Sequence, residues 1–228
     1  VDANLPLNDA GTLAARVVGV YRNSDSFVRF AGFNRIYLQP SLSWQIGGDT
    51  RLTVLGTFKR DNDNPFGPQP AYGFVFPLAD GSYLPRDFAV SNGGSQKPVQ
   101  RENRKTIGYF LDHGFTDTLR FSQTARYMHR TTFWDNWMFA DGFIDDEVDG
   151  NGIAIPGTGR TIGRYFYGPY RETFKSFLAD NRLSWRFETG AITHKVLGGL
   201  DYRRTRSSYV GNGDYNPYNF PLDVFDPD

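Results

Sequence analysis

The chain has 228 residues with 25 basic and 25 acidic side chains, so its formal net charge is zero and nothing in it favours a nucleic-acid partner. It contains no cysteine, which excludes disulfides and thiolate metal sites. The hydrophobic content is 39%, the aromatic content is 16%, and there are 25 glycines and 13 prolines. This composition favours strands joined by irregular loops, and no apolar run approaches the roughly 18 residues of a membrane helix.

About seven segments alternate between apolar and polar residues, which predicts strands of roughly ten residues each. The clearest is 35–46, where Ile36, Leu38, Leu42 and Trp44 fall on one face and the residues between them are polar. The segments are 13–22, 35–46, 51–59, 106–112, 119–130, 176–187 and 195–203. Pro40 lies in the middle of the second segment, where it cannot donate to a ladder, so we expect a bulge or a missing bond there.

The connections between these strands alternate in length. Short turns follow Ile46, Gly114 and Phe187, whereas long connections occupy 23–34, 61–103, 134–173 and the residues from 209 onward. Two connections near forty residues are unusual in a soluble domain. Short turns at one end and long loops at the other are typical of an outer-membrane barrel, in which the periplasmic turns are short and the extracellular loops are long.

The two faces of the strands provide a second criterion. Alternation alone fits either a β-sandwich core or a lipid-facing wall. On the apolar face, however, Trp44 and Trp185 lie near the short turns, and Tyr21, Phe58 and Tyr127 lie near the long loops. Two aromatic girdles with aliphatic residues between them are typical of a barrel wall in lipid. About seven strands would leave both sheet edges unpaired in hydrocarbon, so we expect a segment of a larger barrel.

The polar face is rich in arginine at mid-strand positions, namely Arg16, Arg120, Arg126, Arg182, Arg186 and Arg203. These cations either pair with acidic residues of neighbouring strands and of a plug, or steer an anionic ligand. Asp112 and Asp180 lie among them, which predicts cross-strand ion pairs rather than acid–base catalysis.

Five stretches, taken in this order, resemble TonB-dependent siderophore receptors of the ferrichrome, or hydroxamate, type. They are LPLNDAGTLAARVVGVYRNSDSFV, IYLQPSLSWQIGGDTRLTVLGTFKRDN, AYGFVFPLADGSYLPRDF, TIGYFLDHGFTDTLRFSQTARY and VLGGLDYRRTRS, and together they run along nearly the whole chain. The resemblance implies an all-β fold of antiparallel up-and-down strands that forms part of an outer-membrane β-barrel of about 22 strands. Residues 1–228 would all belong to the barrel, and the N-terminal plug domain and the C-terminal strands would lie outside the chain.

The same resemblance implies a transport protein and not an enzyme. Its ligand would be a ferric siderophore, its energy source the TonB-ExbB-ExbD system acting through the plug, and its surroundings the lipid and lipopolysaccharide of the bacterial outer membrane. No cofactor is expected, because the iron arrives already chelated by the siderophore.

The long connections are rich in aromatic rings, which suit a compact, chelated ligand of low charge. In the resembled family a Tyr-Gly-aromatic element contributes to the ligand cup. That element matches Tyr72-Gly73-Phe74, with phenylalanine in place of a tryptophan, and Trp137 and Phe139 match further ligand-facing rings by a looser alignment. Tyr209 is a further ligand-binding candidate. The alternative is that these rings only pack the loops together. The second connection also holds Phe66, Phe76, Tyr83 and Phe88, and the third and fourth hold Trp134, Phe143, Tyr165, Phe166, Tyr167, Tyr170, Tyr215, Tyr218 and Phe220.

Two further sequence features do not match the metal sites that they resemble. Residues 145–152, DDEVDGNG, begin like an EF-hand loop, but its twelfth position is Pro156 instead of a glutamate. The three histidines, His113, His129 and His194, lie apart with no metal-ligand spacing. Two alternatives to a hydroxamate receptor remain open at this point. One is a TonB-dependent receptor for another siderophore, cobalamin or an oligosaccharide, and the other is a soluble carbohydrate-binding β-sandwich.

Overall fold

A computed structural model of the chain describes residues 1–64, 67–91 and 97–227. These residues form a single antiparallel sheet with short additional strands in its loop region. The strands are β1 (Asp2–Pro6), β2 (Leu13–Asp25), β3 (Gly32–Ile46), β4 (Thr50–Asn64), β5 (Val99–Gly114), β6 (Leu119–Asp135), β7 (Trp137–Phe143), β8 (Thr161–Thr189), β9 (Ile192–Asp214) and β10 (Leu222–Asp223), with a 3₁₀ turn at Pro217–Asn219. Within the described residues, no helix is long and apolar enough to cross a membrane.

The seven predicted strands are confirmed as β2–β6, β8 and β9, and consecutive strands pair as neighbours. Their register keeps each face uniform, because paired residues of an antiparallel ladder lie on the same side. Trp44, for example, is opposite Leu13 on one side and Leu52 on the other. The described strands all belong to one sheet, so no second sheet covers the apolar face as a β-sandwich requires.

The predicted strand ends are wrong on the long-loop side. β8 extends over 29 residues and β9 over 23, and β7 lies inside the connection that was predicted to be a loop. β7 pairs with residues 162–167 of β8, so the third long connection is largely a hairpin. Apolar and polar residues do not alternate in β7 or at the start of β8, because the loop core and neighbouring aromatic rings pack against these segments.

Pro40 interrupts the ladder as predicted. The β3–β4 pairing lacks partners at Gln39 and Pro40, opposite Gly56 and Thr57. The register is the same on both sides of the gap, so the strand has two missing pairs and not a bulge. A Cβ atom at Gly56 would lie 3.6 Å from Cγ of Pro40, in ordinary contact with its ring.

The prediction for Asp112 and Asp180 is wrong. Asp180 pairs with Arg182 of its own strand at 2.6 Å, because the register places it opposite Thr124 and Asp201. Asp112 accepts a hydrogen bond from the Ser122 hydroxyl at 2.7 Å. Arg16 of β2 pairs with Asp2 of β1 at 2.6 Å, and the other cross-strand ion pairs between the long strands form near the long loops.

The buried hydrophobic core lies in the long connections and not under the sheet. We call it the loop core; its buried members are Leu78, Leu84, Phe88, Val90, Ile162, Leu222 and Val224. It joins the β4–β5 connection to the start of β8 and to the C-terminal segment.

Candidate functional site

Six aromatic side chains meet on the polar face at its long-loop end. We call them the aromatic cluster; they are Trp134, Trp137, Phe139, Tyr167, Tyr170 and Tyr209. The indoles of Trp134 and Trp137 are parallel, with centroids 5.3 Å apart and an interplanar angle of 2°. Tyr170 stacks on Trp134 at 4.9 Å, and Tyr209 lies beyond Tyr170 at 6.1 Å. Four strands therefore contribute to one aromatic surface.

A change of direction between β6 and β7 places the two indoles. Asn136 has a φ of 55°, a left-handed conformation that asparagine tolerates better than most residues. Its N–H donates to Oδ1 of Asp135 at 3.0 Å, and its side-chain amide donates to the carbonyl of Lys97. Gly168 packs against this kink so closely that a Cβ atom there would lie 2.8 Å from Cα of Asp135.

Below the aromatic cluster, the same face carries a band of ion pairs. We call it the charge band; it comprises Arg35, Lys59, Asp61, Glu102, Arg104, Arg130 and Glu172. Arg35 donates two hydrogen bonds to Asp61, each of 2.8 Å. Lys59 lies 2.7 Å from Asp61 and 3.1 Å from Glu102, and Arg130 lies 2.9 Å from Glu172. Each cation of the band thus contacts a carboxylate.

Several hydrogen-bond donors at this site are unused. Nε of Arg104 and Arg130 and Nε1 of Trp134 and Trp137 are buried and have no hydrogen-bond partner in the described part of the chain. Burial raises the pKa of the Tyr167 and Tyr170 phenols, with neighbouring tyrosines and Glu172 adding to the shift. Both phenols are therefore protonated at neutral pH. The site offers aromatic faces and N–H or O–H donors to a ligand that presents oxygen acceptors.

The structure places the predicted site residues in two groups. Trp137, Phe139 and Tyr209 belong to the aromatic cluster. Tyr72 and Phe74 pack instead against the loop core, where Phe74 lies 6.1 Å from the Phe88 ring and Tyr72 lies 5.4 Å from Phe76. Phe66 lies outside the described residues.

β7 connects the two groups. Its alternate residues Met138 and Ala140 pack against the loop core, whereas Trp137 and Phe139 belong to the aromatic cluster. Arg164 of β8 links the β4–β5 connection to the C-terminal segment. Its buried guanidinium donates hydrogen bonds to the carbonyls of Val90, Phe220 and Pro221. Desolvation lowers the pKa of this guanidinium.

Prediction from the sequence did not single out Trp134, Tyr167 and Tyr170. The sequence does hold information on two of them. If the period-two alternation of β6 and β8 is extended towards the long loops, Trp134 and Tyr170 fall on the polar face, and in the structure they are direct cross-strand partners. The predicted strands ended too early to include them.

The acidic loop that begins like an EF-hand uses its carboxylates internally. Asp145 accepts from the N–H groups of Arg160 and Thr161 and from the Thr161 hydroxyl, at 3.0, 2.8 and 2.9 Å. Asp149 accepts from the N–H groups of Asn151 and Ile153. Among the described residues, no group of three or more histidine and acidic side chains is arranged to hold a metal ion.

Comparisons with known proteins agree on one family of relatives. The chain is 28% identical over 233 residues to the ferrichrome outer membrane transporter/phage receptor of Escherichia coli K12, covering 95% of the chain and 30% of that protein. It is 30% identical over 227 residues to the ferrioxamine B receptor of Salmonella typhimurium SL1344, covering 99% of the chain and 29% of that receptor. No family model matches the chain.

Solved structures show the same fold. The ferric preacinetobactin receptor of Acinetobacter baumannii superposes with a TM-score of 0.74 at 15% identity, over 100% of the chain and 31% of that structure. The open form of the ferric-catecholate import receptor of E. coli K12 also gives 0.74 at 15% identity, over 100% of the chain and 34% of that structure. The resemblance inferred from the sequence is confirmed: the chain is homologous to a segment of about three-tenths of a ferrichrome- or ferrioxamine-type outer-membrane receptor, and its open sheet matches part of the barrel of TonB-dependent receptors.

Proposed function

We propose that this chain is a barrel segment of an outer-membrane receptor that takes up ferric siderophores of the hydroxamate class, such as ferrichrome or ferrioxamine B. The observation that carries the proposal is the aromatic cluster standing above a charge band in which each cation is matched by a carboxylate. Such a surface suits a ligand of low charge with an apolar outline. A strongly anionic ferric tris-catecholate would compete with carboxylates for these cations.

The unused donors support the same ligand class. A ferric hydroxamate presents the oxygens of its chelating groups, and a bound oxygen acceptor would satisfy the buried N–H groups of Trp134, Trp137, Arg104 or Arg130. Tyr72 and Phe74 remain predicted ligand contacts. Their place against the loop core also fits a role in packing the loops.

The placement in the outer membrane is supported by the apolar face. Side chains such as Ile107, Leu200 and Trp185 are 59%, 73% and 48% exposed on it, which lipid would cover. Both edges of the sheet are open, because β1 pairs with β2 alone and β9 with β8 alone among the described strands. In hydrocarbon these edges require further strands, so the full receptor would close the barrel around a plug.

A row of basic residues on the apolar face supports contact with anionic lipid. Lys105, His129, Lys175 and Arg206 are successive cross-strand neighbours just beyond Tyr127 and Phe177. We call them, together with Arg60, Arg101, Arg171 and Arg204, the basic belt. Within the described residues no member of the belt forms an ion pair, in contrast to the charge band on the other face. We propose that the belt binds the phosphates of lipopolysaccharide, and that transport itself is driven by TonB acting through the plug.

Binding to the purified full-length receptor tests the ligand class. Calorimetric titration with ferrichrome, ferrioxamine B, a ferric tris-catecholate and cobalamin should show tight binding of a hydroxamate complex alone. Tight binding of the catecholate complex or of cobalamin, without binding of either hydroxamate, would contradict the assignment.

A further inference from the structure

An apolar cavity of about 390 Å³ lies where the β2–β3 connection meets the β4–β5 connection. Val28, Leu84 and Phe88 line it and are buried, whereas Phe27 and Tyr83 line it and are exposed. We call it the loop cavity. An apolar cavity of about 150 Å³ accepts benzene, so this volume accommodates a molecule larger than a single ring.

The walls of the loop cavity are held in place before any ligand arrives. The N–H of Arg29 donates to the carbonyl of Asp87 at 2.9 Å, and their side chains form an ion pair at 3.2 Å. Gly73 has a φ of +91°, and a Cβ atom there would lie 2.7 Å from Cγ of Leu84. A preformed wall lowers the ordering cost of binding.

Two polar groups give the cavity a chemical preference. Gln69 lines it, and Oε1 of Gln69 is buried with no hydrogen-bond partner in the described part of the chain. Arg86 also lines it, with its guanidinium 5.0 Å from the centroid of the Phe27 ring. Among the described residues Arg86 forms no ion pair, so its charge is available to an anion.

We propose that the loop cavity is a second binding site, for a small aromatic carboxylate whose ring system carries a hydrogen-bond donor. The ring system would fill the apolar space beside Phe88, the donor would satisfy Oε1 of Gln69, and the carboxylate would pair with Arg86. No residue of the aromatic cluster lines this cavity, although Phe74, a predicted siderophore contact, does. The proposed site is therefore separate from the aromatic cluster.

Indole-3-acetate is a suitable probe, because it combines a bicyclic ring, a ring N–H and a carboxylate. Two related probes each lack one feature: 1-naphthaleneacetate has no N–H, and indole has no carboxylate. We expect calorimetric titration of the full-length protein to show that each related probe binds roughly tenfold more weakly than indole-3-acetate. Equal affinity for the three probes, or no binding of indole-3-acetate, would overturn the proposal.

Two variants locate the binding site. Gln69→Leu should abolish the preference for indole-3-acetate over 1-naphthaleneacetate, and Arg86→Gln should abolish its preference over indole. The matched control Arg22→Gln removes an arginine outside the cavity and should leave all three affinities unchanged. Trp137→Ala should also leave them unchanged, and a loss of indole-3-acetate binding in that variant would assign the probe to the aromatic cluster and refute the loop cavity as its site.

Discussion

At the scale of single residues, two tryptophans three positions apart define the candidate site. In a regular strand Trp134 and Trp137 would point to opposite faces. The left-handed residue Asn136 changes the direction of the chain, and the two indoles become parallel neighbours. The left-handed conformation of Asn136 thus places on one face two indoles that a regular strand would place on opposite faces.

Removing one of these indoles should weaken ligand binding. We expect Trp137→Ala in the full-length receptor to raise the Kd for ferrichrome or ferrioxamine B about tenfold, because stacked aromatic contacts and a buried donor are lost. Isothermal titration calorimetry measures this change. Trp185→Ala is the control, since Trp185 lies on the apolar face near the short turns. Equal affinities in wild type and Trp137→Ala would show that the cluster only packs the loops.

A substitution at Gly168 should disturb the kink without touching a ring. Its φ is +135°, and a Cβ atom would lie 2.8 Å from Cα of Asp135, so Gly168→Ala should cost about 1–3 kcal/mol locally. We expect faster hydrogen exchange at residues 134–137 and a weaker near-ultraviolet circular dichroism band. Gly198→Ala is the control, because its Cβ would meet nothing within 4 Å. Unchanged exchange in Gly168→Ala would refute the proposed constraint.

At the scale of elements, β7 and the start of β8 separate two aromatic regions. One side of β7 contributes to the aromatic cluster and the other side packs on the loop core. The acidic loop that joins β7 to β8 is ordered by its own carboxylates. Its aspartates therefore stabilise the hairpin that presents Trp137 and Phe139.

The acidic loop should lose order in acid. Burial raises the pKa of Asp145, but hydrogen bonds from Thr161 and Arg160 outweigh it, so the pKa is lowered overall. A lowered pKa means that the stabilisation is complete above the unfolded value of about 4 and is lost as the pH falls through the folded value. Hydrogen exchange, corrected for its intrinsic pH dependence, should show the Arg160 and Thr161 amides deprotected below about pH 4.

Two variants check the role of this carboxylate. Asp145→Asn should deprotect the same two amides at every pH, because an amide side chain provides a weaker acceptor for three donors. Glu147→Gln should leave them protected, since within the described residues no hydrogen bond to the Glu147 carboxylate orders this loop. Persistent protection in Asp145→Asn would contradict the assignment.

At the scale of the whole molecule, two groups of cations near the long loops lie on opposite faces and differ in their ion pairs. The cations of the charge band contact carboxylates, whereas the cations of the basic belt form no ion pair in the described residues. This difference fits a wall with a ligand-binding interior and an anionic lipid layer outside. The same wall should make the full-length receptor dependent on detergent, and a detergent-free soluble monomer would exclude the membrane assignment.

Neutralising the basic belt should weaken lipopolysaccharide retention. We expect the combined variant Lys105→Gln, Lys175→Gln and Arg206→Gln to co-purify with several-fold less lipopolysaccharide, because each cation contributes about 1 kcal/mol near an anionic surface. Phosphate analysis of the purified receptor measures the bound lipid. The matched control replaces Arg120, Arg126 and Arg203 on the polar face by glutamine and should retain it. Equal lipid content in both variants would refute the role of the belt.

The sequence by itself determined the strands, their two faces, the short and long ends of the sheet and the family of relatives. Period-two alternation is a local pattern, and it is visible wherever the two faces of a strand meet different surroundings. The resemblance to the receptor family pointed to Trp137 and Phe139 as ligand contacts, and Tyr209 was a further candidate. The structure brings these three together with Trp134, Tyr167 and Tyr170.

Only the tertiary structure decided which rings meet. The contact between Trp134, Tyr170 and Tyr209 depends on the register of β6, β8 and β9, which pairs residues far apart in the chain. The separation of Tyr72 and Phe74 from the aromatic cluster depends on how three connections share one loop core. Where protein covers both sides of a strand, as in β7 and the start of β8, no alternation remains in the sequence to predict either outcome.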